Sequence, residues 1–283
     1  MPAKTYTEFP APPDLRAAVA CTWVAHRATD AAAPAPVVPD ACSDVVVIGA
    51  AAPHVAGPAT RTHIVDVPAS TTVVGIRFRP GAARAVFGCD AHELRDADPE
   101  LRAVCGVSAS VLDGELSAAS TTDAMRAALE RWARRRLGER LERDAIVLRA
   151  TNALVADHRV SVDTLGTMLG WSLRRLHREM TITCGYGAKT LQRILRLQRT
   201  LRLARQRALA HRRPTLAMLA LDAGYADQAH MTREFRDLTG FTPRELVASS
   251  NADVGRWLDD ADFFKTDAGG GARLGELVSW FAG

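Results

Sequence analysis

Arg174, Arg175, His177 and Arg178 crowd into five positions just after Ser172, and Gln228, His230, Arg233 and Arg236 follow Asp227 in much the same way. These side-chain types suit contact with duplex DNA. A guanidinium forks onto phosphate or onto O6 and N7 of guanine, and a glutamine amide matches N6 and N7 of adenine. Several outward donors over two helical turns supply both the phosphate contacts that position a protein and the base contacts that give specificity. Gln228 has two readings of equal standing, one as a base contact and one as a group that holds the turn or a phosphate. For each set the alternative is an ordinary solvated helix face.

The surrounding residues have the layout needed to present such a face. In Ser161-Val-Asp-Thr-Leu-Gly-Thr-Met-Leu-Gly170-Trp-Ser172-Leu-Arg-Arg-Leu-His-Arg178, Ser161 is an N-cap and Leu165 and Leu169 form a stripe. Gly170 suits the left-handed residue that ends a helix, and Ser172 caps a second helix with Leu173, Leu176 and Met180 inward. From Thr215 to Phe235 the logic repeats. Leu216, Leu219 and Ala220 face inward, Gly224 closes the helix, Asp227 caps the next, and Met231, Phe235 and Leu238 form the inner stripe. Each segment predicts a helix-turn-helix unit. Between them Ala188–Ala210 contains no Gly or Pro and predicts one helix. Its length is on the order of 30 Å at ~1.5 Å per residue, close to the ~34 Å of one turn of B-DNA. A rigid strut of that length would let one copy address two successive major grooves.

With these residues in view, the chain from about 145 to 248 resembles the AraC/XylS family of transcription regulators. The likeness rests on Gly170-Trp-Ser-Leu-Arg-Arg-Leu-His-Arg178, on Gly185-Tyr-Gly-Ala-Lys189 with Leu195-Arg-Leu-Gln-Arg199, on Ala223-Gly-Tyr-Ala-Asp-Gln-Ala-His-Met-Thr-Arg-Glu-Phe235, and on Leu238-Thr-Gly-Phe-Thr-Pro-Arg244. It implies an all-helical module with two helix-turn-helix units and a linking helix, binding promoter or operator DNA. RNA polymerase, a small-molecule effector and a second copy of the chain are the further partners it implies. The expected DNA-binding residues are Ser172, Arg174, Arg175, His177 and Arg178 in the first unit, and Asp227, Gln228, His230, Arg233 and Arg236 in the second. Ala188 stands where the family commonly has proline, and Met180 replaces the usual aromatic.

The preceding part of the chain reads differently. Val45–Ile48, His63–Val67 and Thr71–Phe78 are strand candidates, separated by proline-rich breaks at Pro10–Pro13, Pro34–Pro39 and Pro53–Pro58. Ala82–Phe87 suggests a short helix, and from Pro99 the pattern turns helical, with Met125, Leu129, Trp132 and Leu137 on one face. The expected organisation is α+β, in four parts. Residues 1–98 form a β-rich sensor or assembly domain, 99–140 a helical linker or dimerisation segment, 141–250 the DNA-binding domain, and 251–283 a tail. In the tail, Gly269–Gly271 precedes a short helix ending at Trp280-Phe281. Pro39–Asp44 and Gly75–Arg84 resemble N-terminal segments in a subset of the same regulators, which implies a cupin-like domain. The strand pattern alone does not separate a barrel from an open sheet.

Charge is segregated along the chain. Residues 149–248 hold 17 Lys and Arg against 8 Asp and Glu, the rest 19 against 24, so a net +4 conceals a basic segment on an acidic remainder. That asymmetry favours a polyanionic partner for one part only. A hydrophobic fraction of 47% argues against wholesale disorder. No apolar run approaches the ~20 residues that span a bilayer, and Met1–Pro13 has no secretory pattern, so a cytoplasmic protein is expected. Cys21, Cys42, Cys89, Cys105 and Cys184 are spread out with no C-x-x-C pair, which predicts free thiols and no zinc site. Among them, Cys42 and Cys89 are candidate sensors of oxidants or alkylating agents. His26, His54, His63 and His92 are too scattered for a metal-dependent cupin. No catalytic triad, phosphate loop or dinucleotide fingerprint occurs, so neither an enzyme nor a cofactor is expected. Arg77 and Arg79 alternate on one strand face and are candidates for an anionic effector, with an ion-paired face as the alternative. Two other classes remain, an enzyme or small-molecule binder with a secondary basic module, and an interaction protein that has lost DNA binding.

Overall fold

The computed structural model describes residues 4–27, 33–138, 140–157, 160–210 and 215–249. The expected glycine hinge and final helix of the tail lie outside them.

Among the described residues seven strands open the chain: β1 (Lys4–Pro10), β2 (Val19–Arg27), β3 (Ala33–Val37), β4 (Ser43–Ile48), β5 (His54–Ala56), β6 (His63–Val67) and β7 (Thr72–Phe78). Five of them form an antiparallel sheet in the order β1-β2-β7-β4-β5, and β3 pairs with β6 in a separate two-stranded sheet. The expected strands at 45–48, 63–67 and 71–78 appear as β4, β6 and β7. The proline-rich stretch 34–39 is not purely a break, because β3 carries Pro34 and Pro36. It pairs on one side only, with β6, and an edge strand tolerates missing N–H donors.

The larger sheet has two distinct faces. Val45, Val74, Ile76 and Phe78 point to the helical side, where they join α1 (Ala83–Phe87), α2 (Leu101–Cys105), α3 (Val107–Ser117) and α4 (Thr122–Leu137) in one core. Phe78 meets Phe87 and Trp132 edge-on, with ring centroids 5.8 and 6.4 Å apart. Leu129, Trp132 and Leu137 are buried as their spacing predicts, and Met125 packs at the margin. Residues 99–140 therefore pack against the sheet rather than lie apart from it. The opposite face carries Tyr6, Cys21, Trp23, Val46 and Val73. Gly75 is required there, because the Trp23 indole lies only 2.3 Å from where a Cβ would stand.

Helix α5 (Arg140–Ala156) is shared between two cores. Leu148 belongs to the first, while Val147, Ala150 and Leu154 join a second core built by the remaining helices. Two polar contacts fix its position. Arg84 pairs with Asp144 at 2.7 Å, and the Thr151 hydroxyl donates to the Pro80 carbonyl at 2.7 Å. The connection from β3 to β4 reaches across as well. Val38 and Ala41 are buried in the second core, and Gln198 donates from its amide to the Pro39 carbonyl at 2.6 Å. The C-terminal helices are α6 (Val162–Leu169), α7 (Leu173–Cys184), α8 (Ala188–Leu209), α9 (Leu216–Ala223), α10 (Gln228–Thr239) and α11 (Pro243–Ser249). No helix among the described residues is long and apolar enough to cross a membrane.

Candidate nucleic-acid interface

The two helix-turn-helix units are built by the same set of local bonds. Ser161 caps α6 by accepting from the Thr164 N–H at 3.0 Å, and Thr215 caps α9 by accepting from the Met218 N–H at 3.2 Å. Gly170 and Gly224 end these helices with φ of 62° and 90°, a left-handed conformation that a side chain would disfavour. The next residue closes each turn backwards, Trp171 N–H to Gly166 C=O and Tyr225 N–H to Ala220 C=O, both at 2.9 Å. Ser172 then caps α7 through the Arg175 N–H at 3.2 Å, and Asp227 caps α10 through the His230 N–H at 2.6 Å. Identical turn chemistry gives two second helices, each with one buried face.

On α7 the buried face is Leu176, Met180, Thr183 and Cys184, leaving Arg174, Arg175, His177 and Arg178 exposed. Arg175 stacks over the Trp171 ring with its guanidinium carbon 4.5 Å from the centroid, and Arg178 bonds Glu179 at 2.8 Å. The His177 ring lies over Gly187, where a Cβ would stand 2.3 Å from Nδ1, which accounts for the second glycine of Gly185-Tyr-Gly187. Leu173 departs from expectation. It is 53% exposed rather than inward: as the first residue of α7 it lies past the end of the buried stripe and rests against Gly166 of α6. Leu169 and Leu216 are only half-buried, each lying near the end of a short helix.

On α10 Met231, Phe235 and Leu238 are buried as the pattern predicts, and Gln228, Arg233 and Arg236 are exposed. His230 is turned back onto its own domain. Its ring meets Tyr225 edge-on at 5.4 Å, and its Nε2 lies 3.4 Å from Glu234. Asp227 and Ser172 are engaged as caps, so they orient the helices that carry the exposed cations. Sequence reasoning missed Glu234. This carboxylate, 10% exposed, takes Arg196 of α8 at 2.6 Å and Arg193 at 3.3 Å, locking α10 to the long helix. The Arg-x-x-Arg spacing at 193 and 196 was the available signal, since i and i+3 share a helix face.

An open cleft of about 740 Å³ runs along α7, lined by Ser172, Arg174, Arg175, His177, Arg178, Thr181 and Ile182, with Asp90 and His92 opposite. The latter two come from the N-terminal domain, at the 3-10 turn Ala91–Leu94 and the residue before it. The two domains also meet closely at Gly185, where a Cβ would lie 2.6 Å from Pro58.

Arg77 is not open to an anion. It sits against Asp44 at 3.2 Å, Glu8 at 3.4 Å and Asp40 at 3.6 Å, and Trp23 donates to the same Asp44 at 2.9 Å. Burial lowers the Arg77 pKa, while Asp44 and Asp40 are among the groups that raise it, with a net rise well above its usual value that keeps the guanidinium charged. With three carboxylates around one cation, an incoming anion would have to displace an acid already bonded. Arg79 lies beyond the end of β7 and donates to the Arg16 carbonyl at 2.8 Å. All five cysteines are free, and Cys21, Cys42 and Cys184 are buried. Burial pushes the Cys42 thiol well above its ordinary value and that of Cys184 up to about 12, which makes Cys42 a poor oxidant sensor. Among the described residues no cluster of His, Cys, Asp or Glu could hold a metal ion.

Two turn units with capped and partly exposed second helices, joined by one long helix, define a double helix-turn-helix DNA-binding domain. Residues 165–249 match a family described as a helix-turn-helix domain, and this part of the chain is such a domain of the AraC type. Residues 7–100 match a domain of unknown function (DUF6597). No curated protein matches the chain. Solved structures similar to it include two of ToxT from Vibrio cholerae, one an apo variant. The apo variant is 11% identical over 88% of this chain and 98% of that one, with a TM-score of 0.37. The second is 7% identical over 87% and 98%, with a TM-score of 0.39. A third, wild-type ToxT with an unsaturated fatty acid bound, is 10% identical over 86% and 94%, with a TM-score of 0.38. Superpositions this loose carry no argument about the present chain.

Proposed function

We propose that the protein is a sequence-specific transcription regulator that binds promoter or operator DNA through both helix-turn-helix units and catalyses no reaction. The observation that carries this reading is the repeated turn, which leaves Arg174, Arg175 and Arg178 exposed on α7 and Gln228, Arg233 and Arg236 exposed on α10. Arg174 and Arg233 make no ion pair among the described residues, so neither must give up an internal partner to reach DNA. Ser172 and Asp227 position the two helices, and His177 flanks the first contact surface. Functionally, residues 141–250 are the DNA-binding part, and residues 1–140 act as one sensing or assembly unit in the cytoplasm. An effector reaching the Arg77 cluster would compete with its carboxylates. Through Asp40 it would disturb the same short connection that meets α8 at Gln198. RNA polymerase and a second copy of the chain are the macromolecular partners this role would involve.

The test is fluorescence anisotropy of the full chain on its own upstream DNA and on a scrambled duplex, across a salt series. Five or six phosphate contacts would give a log–log slope of about −5, together with preference for the native sequence. Salt-independent affinity, or equal affinity for both duplexes with and without candidate effectors, would refute the proposal.

A further inference from the structure

Leu173 is the one apolar side chain in the first turn of α7 that faces solvent, at 53% exposure. An exposed leucine is ordinary by itself. Two features of this one are not. First, it is held in place. The Ser172 cap fixes the backbone of the turn, and the isobutyl group lies against Gly166 of α6, its Cδ2 at an ordinary contact distance of 3.5 Å from where a Cβ would stand. Second, it lies at the N-terminal end of a helix whose neighbouring exposed residues are Arg174 and Arg175. The N-terminal residues of a recognition helix approach base edges most closely. Among those cations an apolar group can contribute to binding only where the groove offers an apolar complement. In the major groove of B-DNA that complement is the C5-methyl of thymine.

We propose that Leu173 reads the methyl group of one thymine in the operator, as a specificity-determining residue beside the arginines. The inference rests on the DNA-binding reading above and adds a base identity to it. No bond forms or breaks. Discrimination arises from burying the leucine side chain and one methyl group against each other, which gives about a three- to fivefold preference for thymine over the same base without its methyl.

The experiment uses the full chain. Its preferred duplex is first selected from a random pool, and each thymine is then replaced singly by deoxyuridine, which removes only the methyl. The expected result is one position at which deoxyuridine weakens binding three- to fivefold. For Leu173→Ala that ratio falls to about one, whereas Leu173→Met retains it in part. Arg233→Ala, in the other unit, should weaken binding while keeping the ratio. A thermal melt of Leu173→Ala matching that of the parent shows that the fold is intact, as expected for a side chain exposed to this extent. A preferred duplex with no methyl-sensitive thymine, or a Leu173→Ala ratio equal to the parent's, overturns the assignment to Leu173 and leaves DNA binding standing. Failure of the full chain to enrich any duplex overturns the DNA-binding reading itself, and this inference with it.

Discussion

Replacing Glu234 tests whether the position of α10 is set by its charge contact with α8. The Glu234 carboxylate accepts from Arg196 through Nη2 at 2.6 Å and Nε at 3.2 Å, and lies 3.3 Å from Arg193 Nε and 3.4 Å from His230 Nε2. Removing one member of a fully buried ion pair costs about 3–5 kcal/mol, because the partner is left charged and dry. Here the partners are not fully dry. Arg196 and Arg193 are 24% and 33% exposed, and Arg193 keeps Asp237 at 2.9 Å. A discount toward the ~0–1 kcal/mol of exposed pairs gives about 2 kcal/mol for Glu234→Ala. Glu234→Gln keeps one acceptor oxygen but loses the charge and the second acceptor that Arg196 Nε uses, so about 1 kcal/mol is expected. In urea unfolding followed by circular dichroism, Glu234→Ala should shift the midpoint of the C-terminal transition twice as far as Glu234→Gln. Both variants should weaken DNA binding although neither removes a group placed at the contact surface. A Glu234→Ala protein within about 0.5 kcal/mol of the parent would behave like an ordinary surface variant, and would refute the idea that α8 locks α10 through this carboxylate.

Three further outcomes follow from the same coordinates. Burial pushes the Asp96 carboxyl up, but the Thr60 hydroxyl at 2.6 Å, the Thr60 N–H at 2.7 Å and His63 outweigh it and hold the pKa below its ordinary value. A depressed carboxylate adds stability above its unfolded pKa of ~3.9 that is lost as pH falls through the folded value. Asp96→Asn should therefore be less stable than the parent at pH 7, with the gap closing below about pH 4, and a pH-independent gap in thermal melts would contradict this. Alkylation by iodoacetamide at pH 7 should label the half-buried Cys89 and Cys105 before Cys21, Cys42 and Cys184, with mass spectrometry giving the order. Early labelling of Cys42 would reinstate it as a sensor. A fragment of residues 141–250 should fold but unfold at lower denaturant than a longer chain, because it exposes Leu148 and deprives Asp144, Thr151 and Gln198 of Arg84, Pro80 and Pro39. Equal midpoints would mean that the contacts between the two halves contribute nothing.

The C-terminal half was legible because its signals are local. A cap, a glycine and an apolar stripe each act over a few residues, and Ser161, Gly170, Ser172, Gly224 and Asp227 all sit where those rules place them. Leu173 and His230 show the limit of the method. Periodicity assigns a face by angle and ignores how far along the helix a residue stands, or which neighbour its ring turns to meet. The sheet was harder to read. β2, Val19–Arg27, is buried on both faces over most of its length, so it lacks the alternation that marks a half-exposed strand. β5 has only three residues, and β1 and β3 carry prolines at positions that read as breaks. The sharing of α5 between two cores arises from contacts far apart in sequence, which no window along the chain contains.

The placement of the arginines also changes what the basic segment means. Its excess of positive charge invites the view that α8 is itself a DNA-facing rod, yet several of its guanidinium groups are committed within the domain. Arg193 and Arg196 hold Glu234 of α10, Arg199 donates to the Asp222 carbonyl at 3.0 Å, and Arg207 pairs with the Asp222 carboxylate at the end of α9. These contacts join the strut to both helices of the second unit. A cation so engaged has part of its charge neutralised and its side chain fixed, so it releases fewer counterions on meeting a phosphate than a free one would. The charge segregation visible in the sequence thus has two physical origins. One is the exposed arginines of α7 and α10, which suit a polyanion. The other is an internal ionic lattice that holds the second recognition helix at a set position relative to the first. A double helix-turn-helix domain needs that second property as much as the first, because two contact surfaces register on successive grooves only while the helix between them holds both rigidly.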